Sequence, residues 1–323
     1  MKPTNGDLIT SAADGIHAST NRFGIIVENC NLRNAFDDLI NTEAYCGNVE
    51  TKLDEYTVET SRDMYCRVGD EIRFFDTENH AVIGRAFLKA IEKTADGKYR
   101  LTLDRAVDGV VSAEEASVPT VMYNMNAANS GNIIKNNTLA NSRHHAYIIR
   151  SANSIIENNR MENNSGAATE AANEIHGGSN EGLFPSALTF RNNVVQSEGI
   201  SSRYTPLKAY SWYARTGEQK AIDGLLIENN TIDVPSINGS ISINSVNGLY
   251  MLGNTIKSSG EFANDVIPVK ISNSKIAKID GIDFDYKQNV SSVISISGSE
   301  VDESNITNIN IMGGNTAKPY SIK

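Results

Sequence analysis

Cysteine, aromatic residues and positive charge are all scarce in this chain. Three cysteines (Cys30, Cys46, Cys66) make an odd set without CxxC spacing, which argues against a disulfide framework and against a structural zinc site. Aromatics are 7% of the residues and include a single tryptophan, so an aromatic-rich binding module is excluded. Lys+Arg number 29 against 39 Asp+Glu, for a formal charge of -10. Nucleic acid and anionic membrane surfaces both reward clustered Lys and Arg, so neither is expected as a partner. No apolar run reaches the roughly 18 residues that a membrane span needs. Met1-Lys2-Pro3-Thr4-Asn5 also lacks the apolar stretch of a secretion signal.

What the chain has in excess is asparagine, 37 of 323 residues. Much of it falls in one recurring phrase: two apolar residues, a spacer, Asn-Asn, one residue, one apolar. It reads Ile133-Ile134-Lys135-Asn136-Asn137-Thr138-Leu139, then Ile155-Ile156-Glu157-Asn158-Asn159-Arg160-Met161. It returns at Thr189 to Val195 and Leu226 to Ile232, with weaker copies at Ile26 to Leu32 and Met251 to Ile256. Asn136 and Asn158 are 22 residues apart, Asn229 and Gly253 24; longer gaps of 34 and 37 surround loops at 167–185 and 197–222.

A period this short, with no helical periodicity, excludes ankyrin and tetratricopeptide arrays, and no regular Leu ladder supports a leucine-rich repeat. Asparagine tolerates the left-handed conformation and bonds the backbone at tight corners. Stacked corners would form side-chain amide ladders, while the apolar residues beside them extend a narrow core coil by coil. The expectation is an all-β chain, a right-handed parallel β-helix (a pectin-lyase-like solenoid).

Residues 46–122 break the rhythm. Arg67 to Phe75, Ala81 to Ile91 and Lys98 to Leu103 alternate as strands, with turns at Asp96-Gly97 and Asp108-Gly109. We read a small antiparallel β-barrel inserted between first coils at 1–45 and the remaining coils at 123–323. The pattern loosens after about residue 257, but Ile309 to Thr316 echoes it, so the coils are expected to continue to the C-terminus.

Parallel β-helices bind extended polymers along one face. Asp14 precedes Asp37 by 23 residues, one coil, which would put the two on neighbouring rungs about 4.8 Å apart. Asp37 and Asp38 are adjacent, and both reach one groove only at a bend. Three carboxylates so close would raise at least one pKa; a solvated Asp-Asp turn is the alternative. His17 would orient a carboxylate or contact a sugar, unless it is a surface residue. His144-His145 opens the strand Ala146 to Ile149 where a cleft-facing residue would stand; no third histidine lies near, and no metal or other cofactor is expected. Glu170, Glu174 and Glu181 fall in a long loop with His176-Gly177-Gly178 and are read by default as solvated. Tyr210, Trp212 and Tyr213 would stack on a sugar or pack back on the coil.

At this point the chain resembles glycoside hydrolase family 110, the exo-acting α-1,3-galactosidases. The resemblance rests on Asp14-Gly15-Ile16-His17, Cys30, and Asp37-Asp38 with Asn41. It continues through Asn141-Ser142-Arg143 before Ile155 to Asn159, and Glu181 ten residues before Arg191-Asn192-Asn193. Leu225 to Ile232, Gly248 to Ile256 and the inserted barrel complete it, over residues 10–260. It implies metal-independent, inverting hydrolysis of a terminal α-linked galactose, with Asp14, Asp37 and Asp38 catalytic. Asp37 would be the general acid, with Asp14 and Asp38 activating water. The resemblance and the residue pattern together name His17, Asn41, Arg143, His145, Glu181 and Trp212 as substrate contacts. Glu43 departs from the family's histidine, His145 from its second arginine and Ser179 from its tryptophan, so altered specificity is foreseen. Family members have further coils before the aspartate motif, so the chain is expected to be truncated at its N-terminus. An exported location and a galactose-terminated glycan partner follow. Two other classes compete: a lyase or trimeric tailspike-like depolymerase, and a non-catalytic glycan-binding fragment. A lyase would need a basic cluster beside the aspartates, which is absent; a homo-oligomer stays open.

Overall fold

The computed structural model describes residues 8–79, 81–173, 181–182, 185–196, 205–211, 219–233, 239–258, 266–286, 289–314 and 316–323. Each copy of the asparagine phrase folds as strand, corner, strand. In Ile133–Lys135 and Thr138–Ala140 the middle residues, Ile134 and Leu139, point inward and are fully buried, while Ile133 is only half-buried. Alternation over three residues leaves room for one inward side chain per strand. Between them Asn136 takes φ 58°, a left-handed turn that asparagine accepts at low steric cost.

The two asparagines of each phrase have separate tasks. The first turns the chain: Asn136, Asn158, Asn192 and Asn229 all have φ between 53° and 58°. The second is buried and forms a ladder. Asn159 Nδ2 donates to Asn193 Oδ1 at 3.1 Å and to the Ile134 carbonyl at 2.8 Å, while its backbone N–H donates to the same Asn193 Oδ1 at 2.9 Å. Asn137, Asn193 and Asn230 repeat the pattern, and Asn254 accepts from Asn230 at the end of the ladder and donates to the Ile227 carbonyl. The asparagine of each coil thus satisfies buried backbone groups that the corner of the preceding coil leaves unpaired.

Stacking these units produces a parallel β-helix. Ile134, Ile156, Phe190, Ile227, Met251 and Ile279 lie one above another in register, as do Leu139, Met161, Val195, Ile232, Ile256 and Phe284. Each fully buried aliphatic side chain contributes about 1.5–3 kcal/mol. A further face stacks Ile16–Ser19, Ile40–Asn48, Tyr147–Ile149, Thr169–Asn173 and Leu207–Ser211, and continues to Thr316–Ile322. The coils therefore do continue beyond residue 257. There the two-strand corner is replaced by one long strand, Lys275–Tyr286, which pairs with both preceding strands.

The inserted unit grows out of Ile40–Asn48. The first residues of that strand are a β-helix rung, and Cys46 to Asn48 pair antiparallel with Val121–Asn124. The order then runs through Glu71–Asp76, Ala81–Lys93, Tyr99–Leu103 and Thr57–Thr60 to Thr51–Lys52. Thr51–Lys52 continues the starting strand after two residues, so the antiparallel sheet closes on itself as a barrel. Its core includes Ile72, Phe74, Leu88, Leu101 and Met122. Among the described residues no helix is long and apolar enough to cross a membrane.

Candidate active site

A cavity of about 660 Å³ opens on the outer side of the rung face, where the barrel leaves the coils. Period-two alternation builds it. Outward residues of successive rungs stand in columns: His17 pairs with Asn41, Asn41 with Ile148, Ile148 with Glu170 and Glu170 with Lys208. All five line the cavity, with Arg150 and Tyr210 from the same strands' ends.

Asp14 and the Asp37-Asp38 pair sit at the bends that lead into the two lowest rungs. The coil here is 24 residues, since Ile16 pairs with Ile40; Asp14 therefore lies level with Asp38, not with Asp37 as a 23-residue spacing suggests. The Asp38 backbone N–H donates to Asp14 Oδ1 at 3.2 Å, and Gly15 N–H donates to the Asp38 carbonyl at 2.8 Å. The bend is what lets Asp37 and Asp38 reach the same cavity. One oxygen from each of Asp14, Asp37 and Asp38 lies within 4.8 Å of the others.

Their environments differ. Asp14 receives Asn41 Nδ2 at 3.2 Å and His17 Nδ1 at 3.1 Å; burial and the neighbouring Asp38 nevertheless raise its pKa. Asp38 is 5% exposed, and its Oδ1 accepts from the His145 backbone N–H and Nδ1, both at 2.8 Å, and from His144 Nδ1 at 3.1 Å. Burial alone would raise its pKa, but the two histidines outweigh it and hold the carboxyl well below the usual range. Asp37 has an exposed side chain, with His144 Nδ1 3.3 Å away.

On the opposite wall His17 bridges Asp14 and the buried Glu43, its Nε2 2.9 Å from Glu43 Oε1. Glu181 lies beyond, on a two-residue strand antiparallel to Ile40–Asn48. Burial and Glu43 push its carboxyl up to about 7, against the pull of Arg150 at 3.3 Å. Arg150 also donates to Asn41 Oδ1 at 3.1 Å.

Of the residues singled out in the sequence, Asp14, His17, Asp37, Asp38, Asn41, His145 and Glu181 meet in this cavity. Arg143 does not line it: it is exposed and stacks on Phe36, with 4.4 Å between its guanidinium carbon and the ring. The cavity's arginine is Arg150. Glu170 is a buried strand residue, 2% exposed, not a solvated loop carboxylate. Trp212, Tyr213, Glu174 and His176 lie outside the described residues. Arg150 and Lys208 carried no motif; adding coil lengths to His17 along the outward column would have found the positions of Glu170 and Lys208 had the gaps been equal. Asp38, His144 and His145 also present one ligand-type atom each within 4.8 Å. The Nδ1 atoms of both histidines face Asp38, and His145 Nε2 faces Glu170.

Fold and site together define a parallel β-helix with a carboxylate-lined cleft. No protein-family profile matches the chain. It is similar to curated proteins named alpha-1,3-galactosidase B: 25% identical over 255 residues to that of Akkermansia muciniphila, covering 73% of this chain and 31% of the relative. To that of Phocaeicola vulgatus it is 25% identical over 286 residues, 78% and 46% of the two chains, and to that of Bacteroides fragilis 24% over the same length. The chain thus spans a third to a half of the length of these relatives. Among solved structures, the tailspike protein gp49 of Pseudomonas phage LKA1 aligns over 93% of this chain and 71% of its own, at 10% identity and a TM-score of 0.26. The Gp54 tailspike of Acinetobacter baumannii bacteriophage AP22, in complex with a capsular saccharide, aligns over 95% and 64%, at 9% identity and a TM-score of 0.30. The strand pairing itself defines the fold.

Proposed function

We propose that this chain is a glycoside hydrolase that removes a terminal α-linked galactose with inversion, without a metal. The observation that carries the reading is the gathering of Asp14, Asp37 and Asp38 at one end of a cavity large enough for a sugar ring. The name shared by its curated relatives supports the choice of galactose. Asp37, the most exposed of the three, protonates the departing glycosidic oxygen. Asp38, held ionised by two histidines, and Asp14 take the proton of the water that attacks the anomeric carbon from the other face. The bond to the aglycone breaks as the bond to water forms, and β-galactose is the first product. His17, Asn41, Arg150 and Glu181 bind the sugar hydroxyls.

One observation favours a second donor. Inverting acid and base stand roughly 6.5–9.5 Å apart, and the triad's nearest oxygens are closer than that. Glu181, pushed up to about 7 by burial and by Glu43, lines the same cavity and is the second candidate donor.

The test uses p-nitrophenyl α-galactoside beside an α-1,3-linked galactosyl oligosaccharide. Nitrophenolate leaves without a proton, so loss of the general acid spares it and abolishes the oligosaccharide reaction, by 10²–10⁴-fold. Asp37→Asn showing that split, with β-galactose seen first by NMR, supports the assignment. The same split in Glu181→Gln instead moves the acid to Glu181. No galactose release by the folded parent chain on either substrate would sink the hydrolase reading.

A further inference from the structure

His145 lines the cleft yet is almost sealed, at 1% exposure, with a carboxylate facing each ring nitrogen. Nδ1 is 2.8 Å from Asp38 Oδ1 and Nε2 is 3.3 Å from Glu170 Oε2. Both carboxylates are themselves buried, at 5% and 2% exposure. A neutral imidazole has one N–H and one lone pair, so it would turn that lone pair toward one of the two carboxylates. Only the doubly protonated ring presents an N–H to each carboxylate, and a buried charge persists when it lies between opposite charges. The backbone is held as firmly as the ring. His145 N–H donates to Asp38 Oδ1, and Gly166 of the next coil packs so closely that a Cβ there would meet the His144 carbonyl carbon at 2.7 Å and the His145 nitrogen at 2.9 Å.

We propose that His145 is a buried imidazolium that positions Asp38 and keeps it ionised, with Glu170 as its counter-anchor, and that loss of its proton switches the site off in alkaline solution. The activity part of this rests on the hydrolase reading above; the protonation part does not.

The surrounding groups agree with the assignment. Asp37, Asp38 and Asn41 face the ring from the bend and strand below, with Asp14 and His17 one coil further down. His144 stands beside it, ring centroids 3.9 Å apart, and Arg150 lies across the cleft near Glu181. From above come Glu170, then Lys208 and Tyr210, whose Nζ and OH approach Glu170 at 3.4 and 2.9 Å. Lys208 is a second cation for Glu170, so Glu170 stays charged when His145 does not. Asp38 has no lysine or arginine bonded to it among its described contacts and depends on the histidines. Burial pulls the His145 ring toward neutral, and the two carboxylates overcome it, holding its pKa up to about 9.

The first measurement is long-range ¹H–¹⁵N NMR of the histidine rings in the labelled chain from pH 5 to 10.5. One imidazole, absent from the spectrum of His145→Gln, should remain doubly protonated past pH 8 and titrate near 9. The second is kcat/KM against pH on the α-galactoside. The parent should lose activity along an alkaline limb with that same midpoint. His145→Arg, whose cation does not titrate in this range, should move the limb above pH 10. At neutral pH it should recover at least tenfold of the kcat that His145→Gln loses, with KM little changed. Titration of His145 below pH 7 overturns the proposal, as does an unmoved limb in His145→Arg. So does loss of activity with EDTA that Zn²⁺ restores, since the ring would then be a metal ligand. If the parent has no galactosidase activity, the NMR titration still decides the charge of His145, and only the hydrolase reading falls. His145→Arg alone carries the kinetic test should His145→Gln fail to fold.

Discussion

At the scale of single residues, the cleft separates carboxyls of one chemical type by what surrounds them. Glu170 is drawn down to about 2: burial opposes this, and His145, Lys208 and Tyr210 outweigh it. Glu181 is pushed up to about 7 by burial and Glu43. A raised folded pKa favours the protonated form, so this group's stabilisation is complete below its unfolded pKa near 4.5 and is lost as pH rises through about 7. Its side chain is 38% exposed, which screens the effect to the order of 1 kcal/mol. Glu181→Gln should therefore gain about 2 °C in melting temperature relative to the parent between pH 5 and pH 8, and scanning calorimetry at the two pH values checks it. An equal difference at both would rule out titration of Glu181 as the cause. Cys46 and Cys66 are inert by the same logic, since burial pushes both thiols up to about 12.

At the scale of the element, the repeated asparagine pair is one corner with two functions, and neighbouring substitutions should separate them. Asn192 is exposed at φ 55°, a conformation glycine adopts freely, so Asn192→Gly should change stability by less than about 0.5 kcal/mol. Asn193→Ala removes the acceptor of the Asn159 N–H and the donor to the Ile156 carbonyl, both buried. With two backbone groups orphaned, the loss should be on the order of 3 kcal/mol. Urea unfolding of both variants tests the pair; equal midpoints would show that the ladder contributes nothing. The phrase itself was legible in the sequence, because the left-handed corner and the inward residues recur at fixed offsets. The division of labour between the two asparagines needed the structure, since the letter is the same at both positions.

At the scale of the whole molecule, stability is distributed along the solenoid axis, because each coil touches only its neighbours. The central rungs are paired on both sides and bury their inward residues, whereas Thr316–Ile322 pairs on one side only and is largely exposed. Native-state hydrogen exchange should find the amides around Ile148, Ile156 and Ile227 the slowest and those of Thr316–Ile322 faster by at least a hundredfold. Uniform protection would mean that the coils unfold as one unit.

The coil architecture and the inserted barrel follow from local patterns: a corner, an inward residue, a change from asparagine phrase to alternating strands. So does the nearness of the aspartates, which lie one coil apart with little between them. What tertiary structure alone decided is how distant coils align. The inserted barrel between Asn41 and Ile148, and the long step from Glu170 to Lys208, hide the column that carries Glu170 and Lys208 into the cleft. A coil of 24 residues in place of 23 moves Asp14 from Asp37 to Asp38. Arg143 and Arg150 are equally basic in the sequence, yet one is stacked outside on Phe36 and the other is bonded to Asn41 and Glu181. A local pattern specifies the conformation of a corner, but register is set by hydrogen bonds between coils whose connecting loops differ in length, and the chemistry of the cleft depends on that register.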